Sequence, residues 1–427
     1  MNRRSASYKV LRRGLQIGFV YLISVVLSST CYSQSTVISG TIMDAETKEP
    51  LAFSTISTVN YTSGAVSNFL GEFTFTIPDG LPSDKLVISM LGYHTREISV
   101  SSFSINAGLV VELEPEVILL SEIQISAEQL SADQIVQRVV ENIQKNYPTS
   151  PYLLEGFTRA HKYECGQYAW LYEGVFELYG LGYQKKSPER VYMKASRQTL
   201  PVEDYRSQVL RMNRNPFISM SHINDVMFRS YSLKTRGKEY ELSNYTMLDD
   251  QLVYVVKTSH SRYEEHKMYI DINDFGLLKV EMKMKTPTDE DGNPLLNKGT
   301  SNDSLDFKVT EISKTIQFEK SGDKYYPKYM DWLVAGVLTD KDTNHEVCDW
   351  GFRFETMYYD VTTDNVKKPS NGNLMRPRGG KDPEPSPYHP EFWSEYPLLK
   401  EFPITPQIVK DLEKNGGLGE QFKLIRK

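Results

Sequence analysis

Short runs of alternating apolar and polar residues are the feature that most constrains the fold of this chain. Between residues 37 and 113 these runs are separated by turn residues such as Pro78-Asp79-Gly80 and Leu91-Gly92-Tyr93. A period of two places every second side chain on the same face of a strand. Short strands between such turns predict a small antiparallel β-sandwich over residues 36–114.

Alternation continues on a larger scale over residues 131–361, behind one helix. The capping box Ser131-Ala-Asp-Gln134 begins that helix, and apolar residues repeat along it at helical spacing. The rest of the region is mostly extended, with a hairpin turn at Asn273–Gly276 and a β-bulge between Val309 and Ile312. Strands that are apolar on one face must close into a barrel or cover a helix. The sequence therefore predicts a mostly β protein, whose larger part is a curved antiparallel sheet or half-barrel with one packed helix.

Two further segments complete the predicted organisation. Residues 115–130 form a connector between the sandwich and the helix. Residues 362–427 begin with a proline- and glycine-rich linker and end in a helical tail. Thr405 is the predicted N-cap of a short helix there, with Pro406 at its first position.

The first 33 residues have the pattern of a secretory signal peptide. They carry five basic side chains and no acidic one, followed by an apolar stretch over residues 15–27 that is too short to span a bilayer comfortably. We expect cleavage after Ser33, an exported protein of the periplasm or outer membrane, and no transmembrane segment in the mature chain. Acylation at Cys31, as in a lipoprotein, is the alternative.

Two cysteines remain after cleavage, Cys165 and Cys348. An exported protein meets an oxidising compartment, where the two could form a disulfide bond. Their distance in space decides whether they do, and the sequence leaves that question open.

The charge balance argues against a nucleic-acid partner. Cleavage takes Lys plus Arg from 49 to 44 against 55 Asp plus Glu, so the net charge goes from −6 to −11. Binding to nucleic acid depends on neutralising phosphates with basic side chains. An acidic mature chain also argues against electrostatic adhesion to anionic lipid. The expected partner is an unknown protein or an apolar or glycan ligand in the cell envelope.

Landmarks in the first strands resemble a known family. They read SGTI at residues 39–42, LGEFTF at 70–75 and ISMLGY at 88–93. This order is similar to the carboxypeptidase-regulatory-like, peptidase-associated domain of exported Bacteroidota proteins, which also precedes the plug of TonB-dependent receptors. The resemblance implies a transthyretin-like sandwich and no catalytic residue. Asn68-Phe69-Leu70-Gly71 departs from the family, which usually has an Asn/Asp-Gly turn at this point.

The second region is similar to the carboxy-terminal part that often follows this sandwich in uncharacterised Bacteroidota proteins. Its helix-plus-sheet order also resembles the half-barrel of periplasmic lipoprotein carriers. This second resemblance implies a carrier or sensor of an apolar ligand, such as lipid or lipoprotein.

The spacing of the histidines gives no support to a zinc peptidase site. His94 and Glu97 form one H-x-x-E pair, and His161 and Glu164 form the other. Both pairs fall in predicted strands, where positions three apart point to opposite faces, so neither pair can chelate a zinc ion. We predict no catalytic residue, no metal site and no cofactor.

A row of aromatic residues is the remaining candidate site. The sequence predicts that Tyr168, Trp170, Tyr172 and Phe176 lie on one face of a strand over 167–179. Such a row lines a hydrophobic or carbohydrate-contacting groove, or forms the core of the sheet under the helix. The leading hypothesis is a non-enzymatic binding or scaffolding protein of the envelope. The alternatives are a half-barrel carrier or sensor of an apolar ligand and an uncharacterised hydrolase.

Overall fold

A computed structural model describes residues 36–58, 61–77, 85–99, 108–116, 130–183, 190–200, 239–248, 251–261, 264–286, 297–300, 304–370, 374, 388–396, 402 and 404–424. The predicted signal peptide, Cys31, most of the connector and much of the linker lie outside these ranges. Within them no helix is long and apolar enough to cross a membrane.

Seven strands form two small sheets at the N-terminal end of the described chain. They are β1 (Thr36–Asp44), β2 (Thr55–Thr58), β3 (Tyr61–Val66), β4 (Glu72–Ile77), β5 (Lys85–Ser89), β6 (Arg96–Ser99) and β7 (Leu109–Leu113). The first sheet has the order β4-β1-β7 and the second has the order β3-β2-β5-β6. The β1–β7 pair is parallel and the other pairs are antiparallel. Alternate side chains such as Ile42, Phe73 and Leu86 fill a common core, as the period of two predicts.

The large sheet contains eleven strands among the described residues, and all of their pairings are antiparallel. They are β8 (Tyr152–Glu164), β9 (Gln167–Gly180), β10 (Arg190–Gln198), β11 (Tyr240–Leu248), β12 (Gln251–Ser261), β13 (Glu264–Asp271), β14 (Leu277–Lys285), β15 (Asn297–Thr300), β16 (Leu305–Ser321), β17 (Lys324–Asp340) and β18 (Glu346–Thr362). Ten of them follow the order β10-β9-β8-β18-β17-β16-β14-β13-β12-β11, and β15 pairs with β16 beside this path. The path ends at β10 and β11, which do not pair with each other, so the curved sheet is open rather than a closed barrel.

In the described parts of the chain, one long α-helix and three short α-helices accompany the sheets. They are α1 (Ala132–Asn146), α2 (Pro390–Glu395), α3 (Pro406–Leu412) and α4 (Leu418–Leu424). Ser131 accepts a hydrogen bond from the Gln134 N–H, and the Gln134 side chain accepts one in return from the Ser131 N–H, so the predicted capping box is confirmed. Thr405 caps α3 in the same manner, as predicted.

The two faces of the large sheet are covered by different parts of the chain. On one face, called the helix face here, α1 buries Ile135, Val136 and Val139 against the sheet. On the opposite face, called the outer face here, the sandwich and the C-terminal tail pack side by side. The sandwich contributes Phe53 and Phe69 to this packing. The tail contributes a larger set of apolar side chains, which includes Trp393 and Phe422. The sandwich and the tail therefore cover the outer face over β8, β9, β10 and β18 and at Tyr329 of β17.

The disulfide question has a definite answer in the structure. Cys165 and Cys348 are bonded, with their Cα atoms 5.0 Å apart. Cys165 lies in the β8–β9 turn and Cys348 near the start of β18, and the register of those strands places Glu164 opposite Trp350. The bond therefore joins two neighbouring strands at the same end of the sheet.

Candidate functional site

The structure divides the predicted aromatic row between the two faces of the large sheet. Tyr172 and Phe176 are buried under α1, and Trp170 lies partly exposed at the margin of the same core. Tyr168 packs on the outer face instead, edge-on to His161 at 5.3 Å between ring centroids. The prediction that all four residues share one face is therefore wrong for Tyr168.

A β-bulge at the start of β9 is the reason. Lys162 pairs with Trp170, but the next residue, Tyr163, pairs with Tyr168. Strand β9 thus contains one extra residue at Ala169, and an extra residue reverses which face the following side chains occupy. The alternation in the sequence gives no sign of this insertion because tyrosine is tolerated on either face.

The margin of the helix face carries a cluster of apolar side chains that α1 does not bury. They are all partly exposed, and we call them the apolar patch: Trp170, Met282, Ile312, Trp332, Val334 and Phe352. Strand pairing places these side chains beside one another, since Ile312 pairs with Val334 and Val334 with Phe352. Five strands of one sheet therefore supply the apolar patch, and Lys162 and Lys314 lie between some of its members.

Aromatic contacts hold the apolar patch in place. Trp332 stacks on the buried Phe354 at 5.7 Å between ring centroids, and Phe352 contacts Phe354 edge-on at 4.1 Å. Lys162 lies between two rings, with its Nζ atom 4.6 Å from the Trp170 centroid and 5.7 Å from that of Phe352. Because these contacts already hold the rings in one orientation, the rings lose little conformational entropy when another molecule packs on them.

The location of α1 explains why this margin is open. The helix packs on β11 at one edge of the sheet and on β17, where Lys324 at the start of the strand donates to the Lys145 carbonyl oxygen. Its C-terminal end is attached at the β13–β14 turn, where Asn146 Nδ2 donates to the carbonyl oxygen of Asp274 at 2.7 Å. A helix of 15 residues is about 22 Å long, so it covers only part of a sheet whose longest strands have 17 residues.

The outer face holds a second feature, a cluster of buried charged side chains. Glu173 accepts hydrogen bonds from Arg159 Nε at 2.8 Å and from Arg197 Nε at 2.6 Å, one on each carboxylate oxygen. Arg159 also donates to the Phe402 carbonyl oxygen of the tail at 2.8 Å. The two guanidiniums lower the pKa of Glu173 and outweigh the effect of burial, which acts in the opposite direction.

The same cluster continues toward the sandwich. Arg353 donates to both oxygens of Asp331, at 2.7 and 3.1 Å, and lies over the Phe69 ring at 4.6 Å. The backbone N–H of Phe69 donates to Glu355 Oε1 at 3.1 Å. We call these charged residues, together with His161, the outer-face cluster: Arg159, His161, Glu173, Arg197, Asp331, Arg353 and Glu355.

The turn at residues 68–71, which departs from the family pattern, makes the contact between the sandwich and the outer-face cluster. Gly71, at φ +72°, allows β4 to begin directly after the turn, and a Cβ atom there would meet the Ile42 carbonyl oxygen at 2.3 Å. Phe69 and Leu70 occupy the tip of the turn and pack on the large sheet and the tail. The two extra apolar residues thus attach the sandwich to the outer face, which sequence reasoning did not detect.

A substrate cannot reach the buried acids or the histidine of the outer-face cluster unless the sandwich or the tail moves away from the sheet. Glu173, Glu355 and His161 are at most 2% exposed. Burial raises the pKa of Glu355 to about 7, whereas burial and the nearby Arg353 and Arg159 hold the pKa of His161 well below 6.5. The geometry therefore supports attachment of the sandwich rather than catalysis.

Neither H-x-x-E pair forms a metal site. His94 lies in the bend before β6, with Nδ1 3.4 Å from Glu116, while Glu97 pairs with Lys85 at 2.8 Å. His161 lies under Phe69 on the outer face, at 4.8 Å between ring centroids. Among the residues described, no group of three His, Cys, Asp or Glu side chains is arranged to hold a metal ion.

One family model matches part of the chain. Residues 38–125 match the CarboxypepD_reg-like domain, which supports the interpretation of this N-terminal part as a domain similar to that family. The chain has no match among curated proteins.

Solved structures give only remote likenesses. A LolA superfamily protein from Nitrosomonas europaea is 11% identical over 56% of this chain and 96% of its own, with a TM-score of 0.22. A putative outer membrane lipoprotein-sorting protein domain from Vibrio parahaemolyticus is 12% identical over 55% and 94%, with a TM-score of 0.23. The MucA/MucB complex of Pseudomonas aeruginosa gives 10% identity over 55% and 99%, with a TM-score of 0.17. At these TM-scores the likenesses carry no argument about function.

Proposed function

We propose that this is a non-enzymatic binding protein of the bacterial cell envelope, which receives an apolar ligand on the apolar patch. The observation that carries the proposal is the set of six partly exposed apolar side chains, fixed by the aromatic core beneath them. Exposed apolar surface of this kind marks binding sites for lipids, ligands or proteins. The protein would hold its ligand beside α1 without changing it chemically.

The composition of the apolar patch favours an acyl chain over a sugar. Met282, Ile312 and Val334 lie between the aromatic residues, and aliphatic side chains bury a hydrocarbon chain well. A sugar needs many directed hydrogen bonds. Within the described strands, the polar groups among the patch residues are the two ammonium groups of Lys162 and Lys314, which suit a sugar poorly. The ligand class that fits best is the acyl chain of a lipid or of a lipoprotein.

An exported location is part of the same proposal. The disulfide bond between Cys165 and Cys348 suits an oxidising compartment, because cytosolic thiols are kept reduced. The basic-then-apolar pattern of residues 1–33 supports the same compartment. The attached sandwich would orient the patch relative to a membrane or a partner protein.

Titration with a fluorescent fatty acid, 11-dansylaminoundecanoic acid, tests the proposal. We expect saturable binding that weakens at least tenfold in Val334→Asp, because a carboxylate in the patch must be desolvated when the chain binds. Val347→Asp makes the same change at an exposed site on β18 and should leave the affinity unchanged.

Three results would overturn the proposal. One is the absence of saturable binding to the fatty acid. The second is equal binding by Val334→Asp and Val347→Asp. The third is hydrolysis of a panel of peptides, glycans or esters that a point mutation abolishes, which would make the protein an enzyme.

A further inference from the structure

Phe69 covers two titratable side chains of the outer-face cluster at once. Its ring stacks on His161 at 4.8 Å, and its backbone N–H donates to Glu355 Oε1 at 3.1 Å. Arg353 lies over the same ring at 4.6 Å. The joint between the sandwich and the large sheet is the contact of Phe69 with these three side chains, and its opening would expose His161 and Glu355 together.

Each of the two covered groups has one buried atom without a hydrogen-bond partner among the described residues. These atoms are Glu355 Oε2 and His161 Nδ1. A buried carboxylate oxygen without a donor is costly when charged, and a proton on the carboxyl group removes that cost. A protonated imidazole would face the guanidiniums of Arg353 and Arg159, so His161 is stable only when neutral. Both groups are therefore uncharged in the closed joint below the pKa of Glu355, which is about 7.

The surrounding charges are largely matched with one another. The groups around Glu355 and His161 come from five strands and the tail: Arg353 on β18, Tyr329 and Asp331 on β17, Arg159 on β8, Tyr168 and Glu173 on β9, Arg197 on β10 and Asp411 on α3. Arg353 pairs with Asp331, and Glu173 pairs with both other arginines.

We propose that opening of the joint moves one proton from Glu355 to His161 below about pH 6.5 and moves almost none above about pH 7, so that the joint stays closed with nearly constant stability between about pH 5.5 and pH 8. Below about pH 6.5 both groups are neutral in the closed joint. When Phe69 leaves, Glu355 releases its proton to water and His161 takes one up, so the total number of bound protons hardly changes.

The two groups act with opposite sign. The pKa of Glu355 is raised to about 7 in the closed joint. Glu355 therefore stabilises the closed joint fully when the pH is below the ordinary pKa of a glutamate, and this stabilisation is lost as the pH rises toward 7. The pKa of His161 is lowered, so its contribution is full above 6.5 and is lost as pH falls. Over the shared range one loss offsets the other.

Hydrogen–deuterium exchange at the Phe69 amide, read by mass spectrometry with electron-transfer fragmentation and corrected for the intrinsic rate, measures this opening. In the wild type and in Glu319→Gln, an exposed-carboxylate control, the opening constant should change less than about threefold from pH 5.5 to 8. In His161→Phe, which keeps the ring stack, it should rise about tenfold per pH unit from 5.5 to 7. In Glu355→Gln it should rise about tenfold per unit as pH falls below 6.5.

A wild-type opening constant that changes tenfold per pH unit in this window would overturn the proposal. So would flat profiles in both variants. The two variants report opposite slopes, so a variant that fails to fold, as judged by circular dichroism, leaves the other variant and the wild-type profile to decide.

Discussion

Removal of the disulfide bond between Cys165 and Cys348 should lower the free energy of unfolding of the large sheet by at most about 5 kcal/mol. The bond joins residues 183 apart in sequence, and a chain-entropy relation for a closed loop of that length yields this figure at 25 °C. The native strands do not depend on the bond for their register, because β8 and β18 pair along most of their length. The loss should therefore come from the greater freedom of the unfolded chain.

The variant Cys165→Ser with Cys348→Ser measures this contribution. Guanidinium unfolding followed by the fluorescence of Trp170, Trp332 and Trp350 reports on the large sheet itself. Wild-type protein treated with a reductant should unfold at the same lower denaturant concentration as the double variant, and the double variant should not respond to the reductant. Equal midpoints for the oxidised wild type and the double variant would refute the reasoning, as would free thiols at both positions in the native exported protein.

Three further changes test the packing of the outer face and the start of α1. Glu173→Gln leaves Arg159 and Arg197 buried with a neutral partner and should lower stability by about 3 kcal/mol at pH 7, measured by thermal unfolding. The pKa of Glu173 is lowered, so its contribution to folding stability is present above the ordinary pKa of a glutamate and is lost as the pH falls. The stabilities of the variant and the wild type should therefore converge in acid, and a stability difference that stays constant with pH would contradict this. Phe69→Ala should cost about 3 kcal/mol and speed proteolysis between the sandwich and the sheet, whereas Val110→Ala on an exposed strand face should do neither. Ser131→Ala should lower the free energy of unfolding by about 1 kcal/mol in chemical denaturation. A change below about 0.3 kcal/mol would show that the Ser131 cap does not stabilise α1.

The elements that follow local rules could be predicted from the sequence. The capping box at Ser131, the hairpin at Asn273–Gly276 and the bulge after Val309 are all present, because hydrogen bonds or turns between near neighbours determine them. The mostly β class followed from the alternation. Strand β3 was not predicted, although Asn60, a residue common in turns, separates it from β2.

The contacts between distant segments could not be predicted in the same way. The polar positions of β8, β9 and β18 alternate as a solvated face would, yet the structure buries Arg159, Glu173 and Glu355 there. Their burial depends on the sandwich and the tail, which are far away in sequence and carry no local signal for this contact. Phe53 illustrates the point, because it adopts φ +68° and stacks on Tyr329, which no rule for β-turn residues would favour.

Photo-crosslinking with a diazirine-bearing fatty acid tests the proposed binding surface most directly. The site of attachment, read by fragmentation of the labelled peptides, should lie at the residues of the apolar patch, which are Trp170, Met282, Ile312, Trp332, Val334 and Phe352. Excess unlabelled fatty acid should compete with this labelling. Labelling of the outer face or the tail, or labelling that does not saturate, would contradict the assignment of the apolar patch as the ligand site.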